Sequence, residues 1–339
     1  MSLKTPSASP DVAAGPPQRT GASRPGSAKL LHIPHGGLIL VLILVCVFTA
    51  VQADTFTTSQ NLLNVLRQVS VNAVIAAGLT LLMTAGGMDF SMGSNAAVTL
   101  CVGARLVDGG WSTPAVVVIC LALATLIGLV NGLVVTYTRV APFVATLASA
   151  MLLDGVALLA LNGMSVTIGD RMSVLGNDEI LTVPYLTVVA VLVLALIGVT
   201  MRYTTFGRDA YAMGGNEHVA RLSGINVNAR KLALYALAGV LAGLAGLMLL
   251  SRLGAAAPNT AGLQTQLTAV AAVVIGGTSF AGGHGTVIGT VFGVVLLGVV
   301  GNALNLLQVN SNYQLVVTGG VLLVAAVVNE FQRKSSPGH

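Results

Sequence analysis

The chain has 339 residues, of which 55% are hydrophobic and only 8% charged. That is too few charges to solvate a globule, since soluble domains carry about 25%. The formal net charge of +5 does not point to nucleic acid: only Lys4, Arg19, Arg24 and Lys29 lie in the N-terminal tail, and no basic run is interleaved with aromatics.

Residues 1–30 are rich in Pro, Ser, Ala and Gly and cannot bury a core, so a disordered cytoplasmic tail is expected over 1–33. Apolar runs of about 18 residues or more then recur to the C-terminus, each able to cross about 30 Å of hydrocarbon. Backbone in lipid must satisfy its hydrogen bonds internally, so these runs are helices; the short alternating segments of a membrane barrel are not seen. The fold class expected is an all-α membrane protein, a polytopic bundle of about ten transmembrane segments within residues 34–330. They lie near 34–53, 62–85, 91–108, 114–137, 142–161, 183–200, 232–251, 266–280, 286–308 and 312–330. The spans at 91–108 and 266–280 are short enough to be half-helices or broken helices.

An even number of spans leaves both termini, including the tail 331–339, on one side. With the N-terminus cytoplasmic, that side receives the four tail residues, Arg139, Arg202, Arg208, Arg221, Arg230, Lys231, Arg333 and Lys334. Arg67, Arg105, Arg171 and Arg252 fall on or near the other. Basic residues concentrate on cytoplasmic loops, so the segment 162–182, with Asp170, Asp178 and Glu179, is external and 201–231 is cytoplasmic. Cys46, Cys101 and Cys120 lie in apolar spans with no metal-ligand spacing and read as buried thiols.

Two segments share a pattern. Gly86-Gly87-Met88-Asp89-Phe90 and Gly276-Gly277-Thr278-Ser279-Phe280 both read GGxxF at the end of an apolar run, each with a later glycine at the same offset, Gly93 and Gly283. Glycine-interrupted segments at matching places mark transport pathways. Asp89, Phe90, Ser91, Thr278, Ser279 and Phe280 are therefore the candidates for a translocation path. A carboxylate inside a membrane is a functional candidate by default; Asp89 either accepts hydrogen bonds from a polar substrate or caps the next helix at the membrane surface. Asp154, within the fifth span, is expected to pair with a polar group of the bundle. Asn131, Asn302 and Asn305 read as interhelical hydrogen-bonding residues rather than ligands.

The loop 201–231 contains a short amphipathic helix. Asn216 is its N-cap, Glu217 stands in its first turn and Arg221 in its last, and Gly224 terminates it. Glu217 and Arg221 are spaced for a helix-face ion pair, and Val219, Leu222 and Ile225 form an apolar edge. Such a helix rests on lipid head groups or docks a cytoplasmic partner. No catalytic residues stand out, no metal site is formed, and the G-x-x-x-x-G-K-[ST] phosphate loop is missing.

The segment Gly214-Gly215-Asn216-Glu217-His218-Val219-Ala220-Arg221-Leu222-Ser223-Gly224-Ile225 closely resembles GGNEEAARLSGI of the ribose-type sugar permeases of bacterial ABC importers. Thr205-Phe206-Gly207-Arg208 before it agrees, as does the stretch from Ala271 to Ser279 after it. Gly86 to Ser94 (GGMDFSMGS) is similar to that family's GGIDLSVGS, and Asn131-Gly132, Pro142-Phe143 and Thr146-Leu147 match its NG…PPF..TLG region. The resemblance covers roughly residues 60–330. It implies a multi-pass permease of the bacterial cytoplasmic membrane, paired with a second copy or a paralogue and fed by an extracellular or periplasmic sugar-binding protein. A cytoplasmic ABC ATPase that binds ATP and Mg would drive it, with no cofactor in this chain and no enzyme activity of its own. It also implies that Gly214, Gly215, Asn216, Glu217, His218, Ala220, Arg221, Leu222 and Gly224 couple the ATPase to the gate. The chain departs from the family at Glu217-His218 (family Glu-Glu) and at Gln266 and Thr268, which stand where the family stretch ELDAIAA has two acids. The rival functions are an ion-coupled secondary carrier and an ABC permease for branched-chain amino acids.

Overall fold

The computed structural model describes residues 36–310 and positions 313, 316, 317, 319, 320 and 323. The tails 1–33 and 331–339 lie outside the described residues, as does most of the span at 312–330. Nine of the ten expected spans coincide with helices: α1 (Gly36–Gln52), α2 (Ser59–Thr84), α3 (Met92–Asp108), α4 (Thr113–Tyr137), α5 (Pro142–Ala160), α7 (Tyr185–Tyr203), α10 (Val227–Leu253), α11 (Leu263–Ile275) and α12 (Val287–Leu306). Between them stand the short helices α6 (Ser173–Asn177), α8 (Thr205–Gly215) and α9 (Glu217–Leu222). Six helices, α2, α4, α5, α7, α10 and α12, are long and apolar enough to cross a membrane. Helix α11 has only 13 residues and α1 and α3 have 17 each, so ten full spans are not what the described residues contain.

Local chemistry sets the helix ends. The side chains of Thr58, Thr204, Asn216, Asn226 and Thr286 each accept from a backbone N–H in the first turn of α2, α8, α9, α10 and α12. Pro114 and Pro142 open α4 and α5, where a missing N–H costs nothing. The two GGxxF segments stop α2 and α11: Gly86 and Gly277 have φ of +77° and +92°, a conformation in which Cβ-bearing residues are strained.

Helices α2 and α10 form the buried centre. Around them α4, α5 and α7 turn apolar side chains such as Val118, Leu152, Leu159, Leu192 and Leu196 outward, as helices bathed in lipid do. The α4–α10 crossing is close because Gly128 faces Gly239; a Cβ on Gly128 would stand 2.9 Å from the Gly239 Cα. Polar pairs tie the core. Asn61 and Asn302 exchange two amide hydrogen bonds of 3.0 and 2.8 Å between α2 and α12, and the hydroxyls of Thr80 and Thr290 meet at 2.6 Å.

The segments at the two ends of α7 differ. At one end, residues 162–184 hold β1 (Val166–Thr167), β2 (Glu179–Ile180) and β3 (Val183–Pro184). Strand β1 pairs antiparallel with β4 (Ala255–Ala256) after α10, and β2 with β3. Arg67 donates to Glu179 at 2.7 Å there. At the other end stand α8 and α9, so the stretch 201–231 is almost wholly helical rather than a loop.

Candidate functional site

The two GGxxF segments meet in space. The amide of Gly283 donates to the Thr84 carbonyl at the end of α2, at 2.9 Å. A Cβ on Gly282 would stand 2.9 Å from the Cα atoms of both Gly86 and Gly214. Gly214, in the last turn of α8, is packed so tightly against the Thr84 carbonyl and the Gly283 amide that no side chain fits. The Tyr211 hydroxyl, one turn earlier, donates to the Gly285 carbonyl at 2.6 Å. One end of α8 is therefore in contact with both breaks at once.

Beyond this junction Asp89, Phe90 and Phe280 line one small open cleft, with Leu79, Met83, Met88 and Val270 as its other walls. The phenylalanines of both breaks thus face the same space. Phe90 is held edge-on to Phe143 at 5.1 Å between ring centres, and its amide donates to Thr146 at 3.1 Å. Asp89 is 2% exposed and so enclosed by the bundle itself. Helix α3 starts after Ser91, not Asp89; Asp89 Oδ1 instead accepts from the Ser91 amide at 2.8 Å and the Ser91 hydroxyl at 2.6 Å. Ser91 in turn accepts from Asn131 at 2.6 Å.

Thr278 is fully buried behind the second break and Ser279 is engaged in its turn, where its amide donates to the His284 carbonyl at 2.9 Å. Neither lines the cleft. Asp154 lies beside Gly262, the residue before α11, its Oδ1 3.0 Å from where a Cβ there would stand.

Sequence reasoning did not find three residues that shape this region. Tyr235 of α10 donates to the Met88 carbonyl at 2.7 Å, Tyr211 holds the second break, and Gln266 spans the first. Of these only Gln266 carried a signal, as a neutral residue where the resembling family has an acid.

The second candidate segment follows directly from α8. Asn216 caps α9, accepting from Val219 N at 3.1 Å, and Gly224 ends it at φ +87°. Glu217 binds Lys231 of α10 at 2.7 Å and Arg221 at 3.2 Å; the Lys231 hydrogen bond in particular holds its carboxyl below the usual range. Arg230 is fixed by Asp209 of α8 at 2.7 Å and lies over Phe206. On this frame Ala220 is buried, while Val219 and Leu222, at 55% and 76% exposed, project outward with His218. Among the described residues no group of three or more His, Cys, Asp or Glu forms a metal site.

The family model described as branched-chain amino acid transport system / permease component matches residues 61–326. The chain is 42% identical over 316 residues to the ribose import permease protein of Escherichia coli K12, covering 92% of this chain and 98% of that one. It is 38% identical over 304 residues to the ribose import permease protein of Haemophilus influenzae, covering 88% and 94%. To the galactose/methyl galactoside import permease protein of Escherichia coli K12 it is 31% identical over 326 residues, covering 89% and 96%. No solved structure matches the chain.

Proposed function

The chain belongs to the branched-chain amino acid transport system / permease component family, and from that premise we propose a route by which it moves its substrate. It is a multi-pass inner-membrane protein, the permease subunit of an ABC sugar importer. The substrate we assign is a monosaccharide or small polyol, a reading supported by relatives named for ribose and for galactose and methyl galactoside. The cleft chemistry favours it over a branched-chain amino acid. A zwitterion calls for a cation as well as an anion, and the cleft walls supply one carboxylate, two aromatic rings and no Lys or Arg.

In this route the sugar passes along the face formed by Asp89, Phe90 and Phe280. Asp89 accepts from hydroxyls and the rings cover apolar faces, with Ser91, Thr278 and Ser279 shaping the breaks behind them. The segment Gly214–Gly224 docks a cytoplasmic ATPase that binds ATP and Mg. Val219, Leu222 and His218 are its contact edge, and Glu217 and Arg221 fix the helix to α10. A second copy or a paralogue completes the path, a periplasmic sugar-binding protein delivers the substrate, and the distribution of basic residues supports cytoplasmic termini for a bundle of about ten segments. The observation that carries the reading is the contact of Gly214 with both breaks. A push on α9 reaches Thr84, Gly86, Gly282 and Gly283 through backbone atoms alone, which have no rotamers in which to absorb it.

The test is uptake of labelled ribose, galactose and leucine by cells carrying the chain with its ATPase and binding protein. ATP-dependent uptake of a sugar but not leucine supports the assignment; leucine uptake alone, or uptake that survives loss of the ATPase, overturns it.

A further inference from the structure

Gln266 is fully buried in the first turn of α11, yet both ends of its amide are used on another segment. Its Nε2 donates to the Asp89 carbonyl at 2.6 Å, and its Oε1 accepts from the Gly93 amide at 3.0 Å. Both partners have fixed polarity, a carbonyl and an N–H, so the orientation of the amide is settled. The side chain therefore bridges the last residues before α3 and its first turn, where the N–H groups have no partner within their own helix. Close approach makes this possible, since a Cβ on Gly93 would stand 2.9 Å from the Gln266 Cβ and N.

We propose that Gln266 is the positioning residue of the first break, a clasp that needs a group able to donate and accept simultaneously and that works independently of pH because an amide does not titrate. By holding Asp89 and α3 to α11, whose other end runs into the second break, it keeps Asp89, Phe90 and Phe280 on one cleft. A carboxylate in its place accepts from Gly93 but meets the Asp89 carbonyl oxygen with no proton to offer; only the neutral acid reproduces both bonds. The acidic residues on the neighbouring segments are Asp89 of the break, whose carbonyl accepts from Gln266, and Asp154 of α5, which lies beside Gly262 one turn before it. The charged residues of α2 and α3 are engaged elsewhere, Arg67 with Glu179 and Arg105 with Asp108. Helix α12 carries none, and the nearby Tyr235 of α10 donates to Met88.

The clasp is tested without reference to what the cleft transports, so its failure is distinct from failure of the sugar assignment. The full chain is purified in mild detergent as native, Gln266→Glu and Gln266→Leu, and melted across a range from about pH 5 to about pH 9. An acid held neutral in the fold has a raised folded-state pKa, so its stability declines as pH rises above the unfolded value. The gap between native and Gln266→Glu is expected to widen by about 5 °C or more toward high pH. The Gln266→Leu gap stays constant. A Gln266→Glu gap that does not change with pH, whether small or large, overturns the proposal. Hydrogen exchange on the native chain is the second measurement. The Gly93 amide is expected to exchange as slowly as the interior of α3, and exchange at the rate of an open loop overturns the clasp even where Gln266→Glu cannot be isolated.

Discussion

The Gly283 amide donates to the Thr84 carbonyl at 2.9 Å, and this bond closes the space in which Gly214 sits. Thr84 ends α2, the most buried of the long helices, and Gly283 belongs to the return from the second break into α12. The end of α2 and a connecting segment from a distant part of the chain are thus fastened together at the point where α8 arrives. A displacement of α8 must move that fastening or break it, since backbone at van der Waals contact transmits strain.

The cap of α9 is the first place to probe this linkage. Asn216→Ala removes the bond to Val219 and is expected to destabilise the six-residue helix by about 1 kcal/mol. Because α9 carries the exposed edge, capture of the ATPase in pull-down should fall while the melting temperature of the whole bundle barely changes. Undiminished capture would separate docking from this helix.

Glu217 links α9 to α10 through Lys231, and its carboxyl is held below the usual range chiefly by that bond. The sign follows. A lowered folded-state pKa gives stability that is present above the unfolded value and lost as pH falls through the folded one. Acidification below about pH 4 should therefore weaken α9, and Glu217→Gln should remove that dependence. The group is 45% exposed, so a double-mutant cycle with Lys231 is expected to give less than about 1 kcal/mol.

In the cleft, Asp89→Asn keeps an acceptor for the Ser91 amide and hydroxyl but withdraws the charge. Uptake is expected to fall by about ten- to a hundredfold, the range of a lost charged hydrogen bond, with assembly intact. Phe280→Ala opens one wall and should raise the half-saturation concentration more than it lowers the maximal rate. Native kinetics in both variants would remove the cleft from the path.

Within the bundle, Asn61→Leu leaves the Asn302 amide facing an apolar side chain. A loss of about 1 kcal/mol is expected for the single variant, recovered in large part by Asn61→Leu with Asn302→Leu, as double-mutant cycles on interhelical pairs behave.

Much of this was legible in the sequence because the signals are local. Asn216, Glu217, Arg221 and Gly224 specify a capped helix by their spacing alone, and α9 has those ends. The apolar runs located nine helices, and the glycine pairs located both breaks. What the sequence left open depends on distant contacts. Nothing local to Gly214 announces that Thr84 and Gly283 lie against it, and nothing local to Asp89 says that it is buried. The sequence marks Asn302 as an interhelical residue but does not point to its partner, Asn61. Lengths were the weaker inference: α11 has the composition of a span and only 13 residues, because Gly276 and Gly277 stop it.

Transmission through Gly214 is tested most directly by Gly214→Ala, measured for ATPase capture and for uptake in the same cells. The added methyl has no room against Thr84 and Gly283, while the docking edge of α9 is untouched. The account predicts native capture of the ATPase together with uptake reduced by about tenfold or more. Native uptake with native capture would contradict it, since α8 would then drive the breaks without the contact that joins them.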